Sequence, residues 1–317
     1  MPRIEIRLHG LSASRQETLI DPETGEVVKL SYTPPPRSGG NRGWTREVAR
    51  RNEKRLQEID FDAIDGSPVF VTLTMPSSQM NDVSAAMFHA WLRAWLMYAR
   101  RHGMRHYFWI LEFQASGNPH LHVIVWVDPL PDAVAAFGWL RAWVRILNRS
   151  GVLARIQGQC WEPIDVGGDV MVDGELVPAH PERVLMYLAK HAVRGVAHYQ
   201  RRLDNMPEGW ERSSGRVWGH DRGLPLRESE RVEVDYRTFH RFRRLVRAWR
   251  LAEARRIRDD GRRRKAIVRA WHMLKWANRA ESPYRGVSAW IPATVASGLL
   301  EAAMRMAGEV EDEESEG

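Results

Sequence analysis

Two runs of strand-forming residues joined by a turn constrain this chain most. Residues 107–113 and 120–127 are rich in aromatic and β-branched side chains. Gln114-Ala115-Ser116-Gly117-Asn118-Pro119 between them consists of turn residues. Together they predict an antiparallel hairpin. Strand side chains alternate, so His120 and His122 share one face while Leu121 and Val123 take the other. A hairpin centred near Ser116 sets Glu112 directly across from His120 on the imidazole face. Two imidazoles and a carboxylate then converge. Mixed nitrogen and oxygen donors with open positions suit a divalent ion that polarises an oxygen. His-x-His alone reads equally as a satisfied structural pair. The registered carboxylate and the adjoining loop carry the metal reading.

The flanking segments supply partners for such a hairpin. Val69-Phe70-Val71-Thr72-Leu73-Thr74-Met75 reads as a strand stopped by Pro76. Asn81-Asp82 can cap a helix that runs to about His102, with Phe88, Trp91, Leu92, Trp95 and Leu96 on one face, and Gly103 ends it. Pro129 and Asp132 open a second helix, with Val134, Phe137, Leu140, Val144 and Leu147 expected on its apolar side. Residues 1–66 read as an N-terminal extension with a Pro- and Gly-rich loop at 33–40 and a charged, exposed helix over 45–58. Residues 67–230 form the main expected domain. A basic helical region, 231–283, and a C-terminal helix with an acidic tail, 284–317, follow it. The tail, residues 309–316, holds six acids and no base and is expected to be disordered.

A further helix is expected from Pro181 to about His198. Tyr187 and Lys190 are neighbours on it, and Arg183 and Arg194 fall on the same stripe. Leu185, Leu188, Ala189, Ala192 and Val196 lie opposite. A phenol beside fixed positive charge ionises more readily and becomes a nucleophile. The same pattern also describes a boundary tyrosine beside a solvated basic face.

Composition narrows the class. The chain of 317 residues carries 47 Lys and Arg against 40 Asp and Glu, a net charge of +7. Only five of the cations are Lys. Arginine suits bidentate phosphate contacts, although a GC-rich genome would produce the same ratio. Between residues 235 and 280, sixteen cations face four acids, a local net charge of +12. Phe239, Phe242, Trp249, Trp271 and Trp276 are interspersed there. They could stack on bases or form the buried stripe of a basic helix. No run approaches a membrane span, and the N-terminus has no apolar export segment, so a cytoplasmic protein is expected. Cys160 is the single cysteine, which excludes an internal disulfide and a cysteine-built zinc site.

These elements resemble the rolling-circle replication initiators of phages and plasmids within the HUH endonuclease superfamily. Phe70-Val71-Thr72-Leu73-Thr74 resembles the first family motif. Glu112 with Gly117-Asn118-Pro119-His120-Leu121-His122 resembles the metal motif. Tyr187-Leu188-Ala189-Lys190 resembles the catalytic Tyr-x-x-Lys. The stretch over 109–127 looks particularly like the replication-associated endonuclease domain of filamentous phages. Gly215-Arg216-Val217-Trp218-Gly219 is similar to a recurrent feature of that group.

The resemblance implies an α+β fold, an HUH/RRM-like central antiparallel sheet flanked by helices. It implies Mg²⁺ or Mn²⁺ at Glu112, His120 and His122. It implies that Tyr187, assisted by Lys190, nicks single-stranded origin DNA to a 5′-phosphotyrosine and a free 3′-OH. His191 stands where some relatives carry another aromatic, and Tyr199 is off the stripe, so a single nucleophile is expected. The chain has no Gly-x-x-x-x-Gly-Lys-Ser/Thr loop, so a host helicase, with a polymerase, is the expected partner. An HUH transposase or mobilisation relaxase would share the motifs. A non-enzymatic basic DNA-binding protein would use only residues 235–280.

Overall fold

Strict alternation begins at the N-terminus. In Arg3-Ile4-Glu5-Ile6-Arg7 the two isoleucines point one way, and the run forms strand β1 (Arg3–Arg7), antiparallel to β2 (Gly10–Gln16). A short ribbon follows, β3 (Leu19–Ile20) with β4 (Val27–Val28). The computed structural model describes residues 1–16, 19–20, 27–28, 43–76, 83–164, 170–172, 175–177, 196, 198–210, 212–274 and 284–315. The chain divides into two compact units. One combines residues 1–34 with 227–317, and the other spans 35–226. The expected extension over 1–66 is thus built into both units. Its first strands sit in a sheet, and its charged helix belongs to the second unit.

That helix, α1 (Arg46–Glu58), is capped by Thr45, whose hydroxyl accepts from the Val48 amide at 3.2 Å. It buries Val48, Asn52 and Leu56, so it is only partly the exposed helix expected. The second unit centres on a five-stranded antiparallel sheet. Its members are β5 (Ser67–Thr74), β6 (Met104–Phe113), β7 (Pro119–Val127), β8 (Cys160–Pro163) and, closing the unit, β11 (Trp218–His220). Helix α2 (Ala85–Arg101) lies between β5 and β6, and α3 (Ala133–Arg149) follows β7. A ribbon of β9 (Val170–Val172) and β10 (Glu175–Val177) comes before β11. The sheet order is β11-β6-β7-β5-β8, so the hairpin occupies the centre.

Alternation divides the central strands cleanly. Trp109, Leu111, Leu121, Val123, Val69, Val71 and Leu73 form one buried face. Helix α2 packs there through Phe88, Trp91, Leu92, Trp95 and Leu96, all buried as their spacing requires. Its N-cap is Ser84, accepting from Met87 at 3.2 Å; Asn81 and Asp82, the expected cap, lie outside the described residues. Gly103 ends the helix at φ +95°.

Helix α3 starts at its expected cap, Asp132, but turns a different face inward. Trp139, Leu140, Trp143 and Leu147 are buried, whereas Val134 is 81 % and Phe137 46 % exposed. Two indoles bury more apolar area than the valine and phenylalanine they displace, and area decides the rotation of the helix. The Trp95 indole N–H donates to the Trp139 carbonyl at 3.1 Å, which satisfies the polar edge of a wholly buried ring.

The first unit is completed by β12 (Glu230–Glu233), α4 (Tyr236–Arg256), α5 (Asp260–His272), β13 (Tyr284–Ala289) and α6 (Ala293–Ser315). Its sheet runs β12-β1-β2-β13, antiparallel throughout. Ile4, Ile6, Leu11, Ala13, Val287 and Ala289 face Phe239, Phe242 and Val246 of α4 and Ala296, Leu300 and Ala303 of α6. Phe239 and Phe242 are therefore core residues. Trp276 lies outside the described residues. The backbone of α6 continues to Ser315, where the sequence pattern suggested disorder from 309. No helix among the described residues is long and apolar enough to cross a membrane.

Two features pin β11 to β6. Gly219 lies opposite Trp109, and a Cβ there would meet the indole ring at 2.9 Å. Just beyond β11, Asp221 receives His106 at 2.8 Å and Arg100 at 2.5 Å. Burial pushes the Asp221 carboxyl up, but His106, the Gly223 amide and Arg100 together outweigh it and hold the group below its usual 3.8. A carboxylate held below its unfolded value stabilises the fold above that value and loses the contribution as pH falls through it. Asp221→Asn should therefore melt lower than the parent at pH 7. The gap should narrow below pH 3.8, measured by thermal denaturation across the acid range.

Candidate active site

The face of the five-stranded sheet opposite α2 carries the candidate site. Across β6 and β7, Glu112 pairs with His120 and Ile110 with His122, the register expected from a hairpin centred on Ser116. The loop closes this register. Gln114 N–H donates to the Asn118 carbonyl at 2.9 Å, and Gly117 adopts φ +83°. On the other side β5 places Thr74 opposite His120 and Thr72 opposite His122. One face therefore presents a compact polar group above a run of aromatics that includes Phe70, Phe108 and Trp126.

Each imidazole is held. The two rings stand edge to face with centroids 4.4 Å apart, and Phe70 stacks on His122 at 5.7 Å. The Thr74 hydroxyl lies 2.8 Å from His120 Nδ1. Thr74 is itself fixed by the Gln159 side chain, whose Oε1 accepts from the Thr74 amide at 2.7 Å while Nε2 donates to the Thr74 carbonyl at 3.0 Å. The Gln159 amide thus extends the β5–β8 ladder by one position. A cleft of about 360 Å³ opens beside it, lined in part by Thr74, Pro76, Leu153, Arg155 and Gln159.

Glu112 is fully buried. A carboxylate at such depth needs a counter-charge. Arg201, on the single turn Tyr199–Arg201, supplies it. Its Nε donates to Glu112 Oε1 at 2.9 Å, and both side chains are wholly shielded from solvent. The guanidinium also lies 3.9 Å over the Trp44 ring, and the Trp44 indole N–H donates to the Leu111 carbonyl at 2.7 Å. With Oε1 engaged, Oε2 faces His122 Nε2 at 3.7 Å. Among the described residues no three His, Cys, Asp or Glu side chains form a ready-made metal cluster.

The structure thus brings Glu112, His120 and His122 onto one face, as the sequence pattern predicts, beside Thr74 of the first motif, while the sequence did not single out Arg201, Trp44 or Gln159. Arg201 stands in a polar loop with an arginine at its side, and no local pattern distinguishes it. Tyr187 and Lys190 lie outside the described residues, with Arg183, His191 and Arg194. Tyr199 sits on the turn that carries Arg201 and is half exposed. The Gly215-to-Gly219 stretch has a structural reason. Gly215 has φ +69°, where a Cβ would run into the His89 ring, and Gly219 lies against Trp109.

Four strands of the sheet, with Glu112, His120 and His122, fall within a recognised family match. Residues 68–162, from β5 through the hairpin and α3 to β8, match the family of replication-associated proteins ORF2/G2P. A candidate replication protein of Xylella fastidiosa strain 9a5c is 32 % identical over 265 residues, covering 81 % of this chain and 84 % of the relative. Another, from strain Temecula1, is 34 % identical over 261 residues, covering 80 % and 89 %. The replication-associated protein G2P of Pseudomonas phage Pf3 is 29 % identical over 252 residues, covering 79 % and 81 %. The chain belongs to this family of replication-associated proteins. No solved structure matches it.

The buried pair gives a direct test. Arg201→Ala leaves the Glu112 carboxylate buried without its guanidinium, a loss of about 3–5 kcal/mol in folding stability. Glu112→Gln with Arg201→Met, which removes both charges, should recover part of that loss. Urea unfolding of the three variants reads the difference.

Proposed function

We propose that this protein is a rolling-circle replication initiator of the HUH endonuclease superfamily, which nicks and rejoins single-stranded origin DNA of a phage or plasmid. The observation that carries the reading is the register that sets Glu112 across from His120, with His122 on the same face, inside the family-matched region.

The donor types of Glu112, His120 and His122, rather than a formed cluster, support a divalent ion, Mg²⁺ or Mn²⁺. Two imidazoles and a carboxylate are the mixed nitrogen and oxygen ligands such ions accept. Arg201 occupies Oε1 and leaves Oε2 on the side of His122. Thr74 lies at Nδ1 of His120 and holds the ring. Outer partners of this kind orient metal ligands and fix tautomers. A bound ion would neutralise charge on the non-bridging oxygens of the scissile phosphate.

Tyr187 is the nucleophile in this reading. Its phenolic oxygen bonds to phosphorus as the bond from phosphorus to the 3′ oxygen breaks in line. The phenolic proton is lost, and the departing 3′ oxygen gains one. The products are a 5′-phosphotyrosine and a 3′-OH able to prime synthesis. Lys190 assists by stabilising the ionised phenol and the phosphate charge. Rejoining is the same step reversed. Unwinding falls to a host helicase and extension to a host polymerase.

Tyr187→Phe keeps the ring and removes the hydroxyl. Nicking of origin-bearing single strands and the covalent adduct should both vanish while DNA binding persists. His120→Ala with His122→Ala should abolish cleavage likewise, and EDTA should do the same to the parent. Gel assays with peptide mapping of the trapped adduct check this. DNA found on Tyr199 or Tyr107, or nicking that survives EDTA, overturns the reading.

A further inference from the structure

The hairpin of α4 and α5 carries more positive charge than its own packing uses. Its four acids all have local duties. Asp235 caps α4 by accepting from the Thr238 amide at 2.8 Å, and Asp259 caps α5 by accepting from Arg262 at 2.6 Å. Glu253 pairs with Arg256 at 2.7 Å, and Asp260 pairs with Arg263. The cations outside these pairs include Arg244 and Arg255 on α4, and Arg262, Arg264, Lys265 and Arg269 on α5. All six are exposed, and among the described residues none of their side chains meets a carboxylate.

Packing does not account for α5. Of its thirteen residues only Ala270 is buried. A helix that rests on so little core, with four exposed cations repelling one another, bears an avoidable electrostatic cost if it has no ligand. Trp271 adds a second anomaly. Its side chain is 52 % exposed at the end of this cationic helix, and the Arg247 guanidinium lies 5.5 Å over its ring. An indole braced by a cation and left half in water is a platform for a planar group. Cations that neutralise phosphates beside an aromatic that stacks a base form the recognition chemistry of unpaired nucleic acid.

We propose that the α4–α5 hairpin is a binding site for single-stranded DNA, sequence-tolerant and separate from the sheet that carries Glu112, His120 and His122. The exposed cations hold the phosphate backbone, and Trp271 stacks one base. A duplex offers phosphates to the cations but no free base to the indole, so the two parts of the site are separable by experiment. The proposal does not depend on the nicking reaction. All binding is measured in EDTA, where cleavage plays no part.

The test uses the full chain and a fluorescein-labelled, mixed-sequence oligonucleotide, single-stranded or annealed to its complement. Anisotropy titrations are run across a salt series. Replacing Arg262, Arg264, Lys265 and Arg269 together with Gln should flatten the slope of log affinity against log salt by about 2–3 on single strands. The changes are on exposed positions, and the far-ultraviolet melt should be unchanged. Trp271→Ala should weaken single-strand binding roughly 5- to 100-fold while leaving the salt slope and duplex affinity as they were. If the quadruple variant melts early, the pair Lys265→Gln and Arg269→Gln gives the same reading at about half the slope change. An unchanged slope in a folded charge variant overturns the site. An unchanged single-strand affinity for Trp271→Ala, or an equal loss on duplex, overturns its assignment to unpaired DNA.

Discussion

The register of the β6–β7 hairpin is the constraint on which the rest of the second unit rests. A slip of one residue would turn His120 and His122 into the layer that packs on α2 and expose Leu121 and Val123. Two local forces act against that slip. The six-residue loop closes through Gln114 and Asn118 with Gly117 in a left-handed conformation, and the aliphatic alternation of both strands agrees with the loop. Once the register is set, everything around the site follows. Thr74 and Thr72 must lie opposite the histidines, and Gln159 must meet the end of β5.

A buried carboxylate on this face is expensive, and the protein meets the cost with a guanidinium from far along the chain. Arg201 and Glu112 are 89 residues apart and exclude water from each other completely. Buried ion pairs are weak devices for stability, because desolvation offsets most of the attraction. Apolar side chains of similar size would hold β6 and the 199–201 turn together as well. What the pair adds is direction. It commits one carboxylate oxygen, leaves the other towards His122, and ties that orientation to Trp44 by stacking.

The first unit handles charge in two ways. On its sheet, Glu5 is met by Arg7 at 2.8 Å and Arg231 at 3.2 Å, and Arg3 pairs with Glu233 at 3.1 Å. That surface is balanced within itself. On the α4–α5 hairpin the acids serve helix caps and short-range pairs, and Arg244, Arg255, Arg262, Arg264, Lys265 and Arg269 face solvent. Balanced charge serves the fold at little energetic cost. Unbalanced charge acts on molecules outside it.

Much of this was legible in order along the chain. Alternation identified β5, β6 and β7. The turn residues set the pairing of Glu112 with His120, and three-and-four spacing marked the buried face of α2, because these signals act between residues close in sequence. The same local logic misassigned α3, where Trp139 and Trp143 outweighed Val134 and Phe137. It also read residues 1–16 as an extension, since β1 and β2 find β12 and β13 only after more than two hundred intervening residues. Arg201, Trp44, Gln159 and Asp221 were invisible for that reason. Each is an ordinary polar or aromatic residue until tertiary packing brings it against a partner. By itself the sequence determined which donors share a strand face, through the period of the backbone. Only the tertiary structure decided which distant charge would neutralise Glu112 and which cations would be left facing water, because burial and pairing depend on the whole fold.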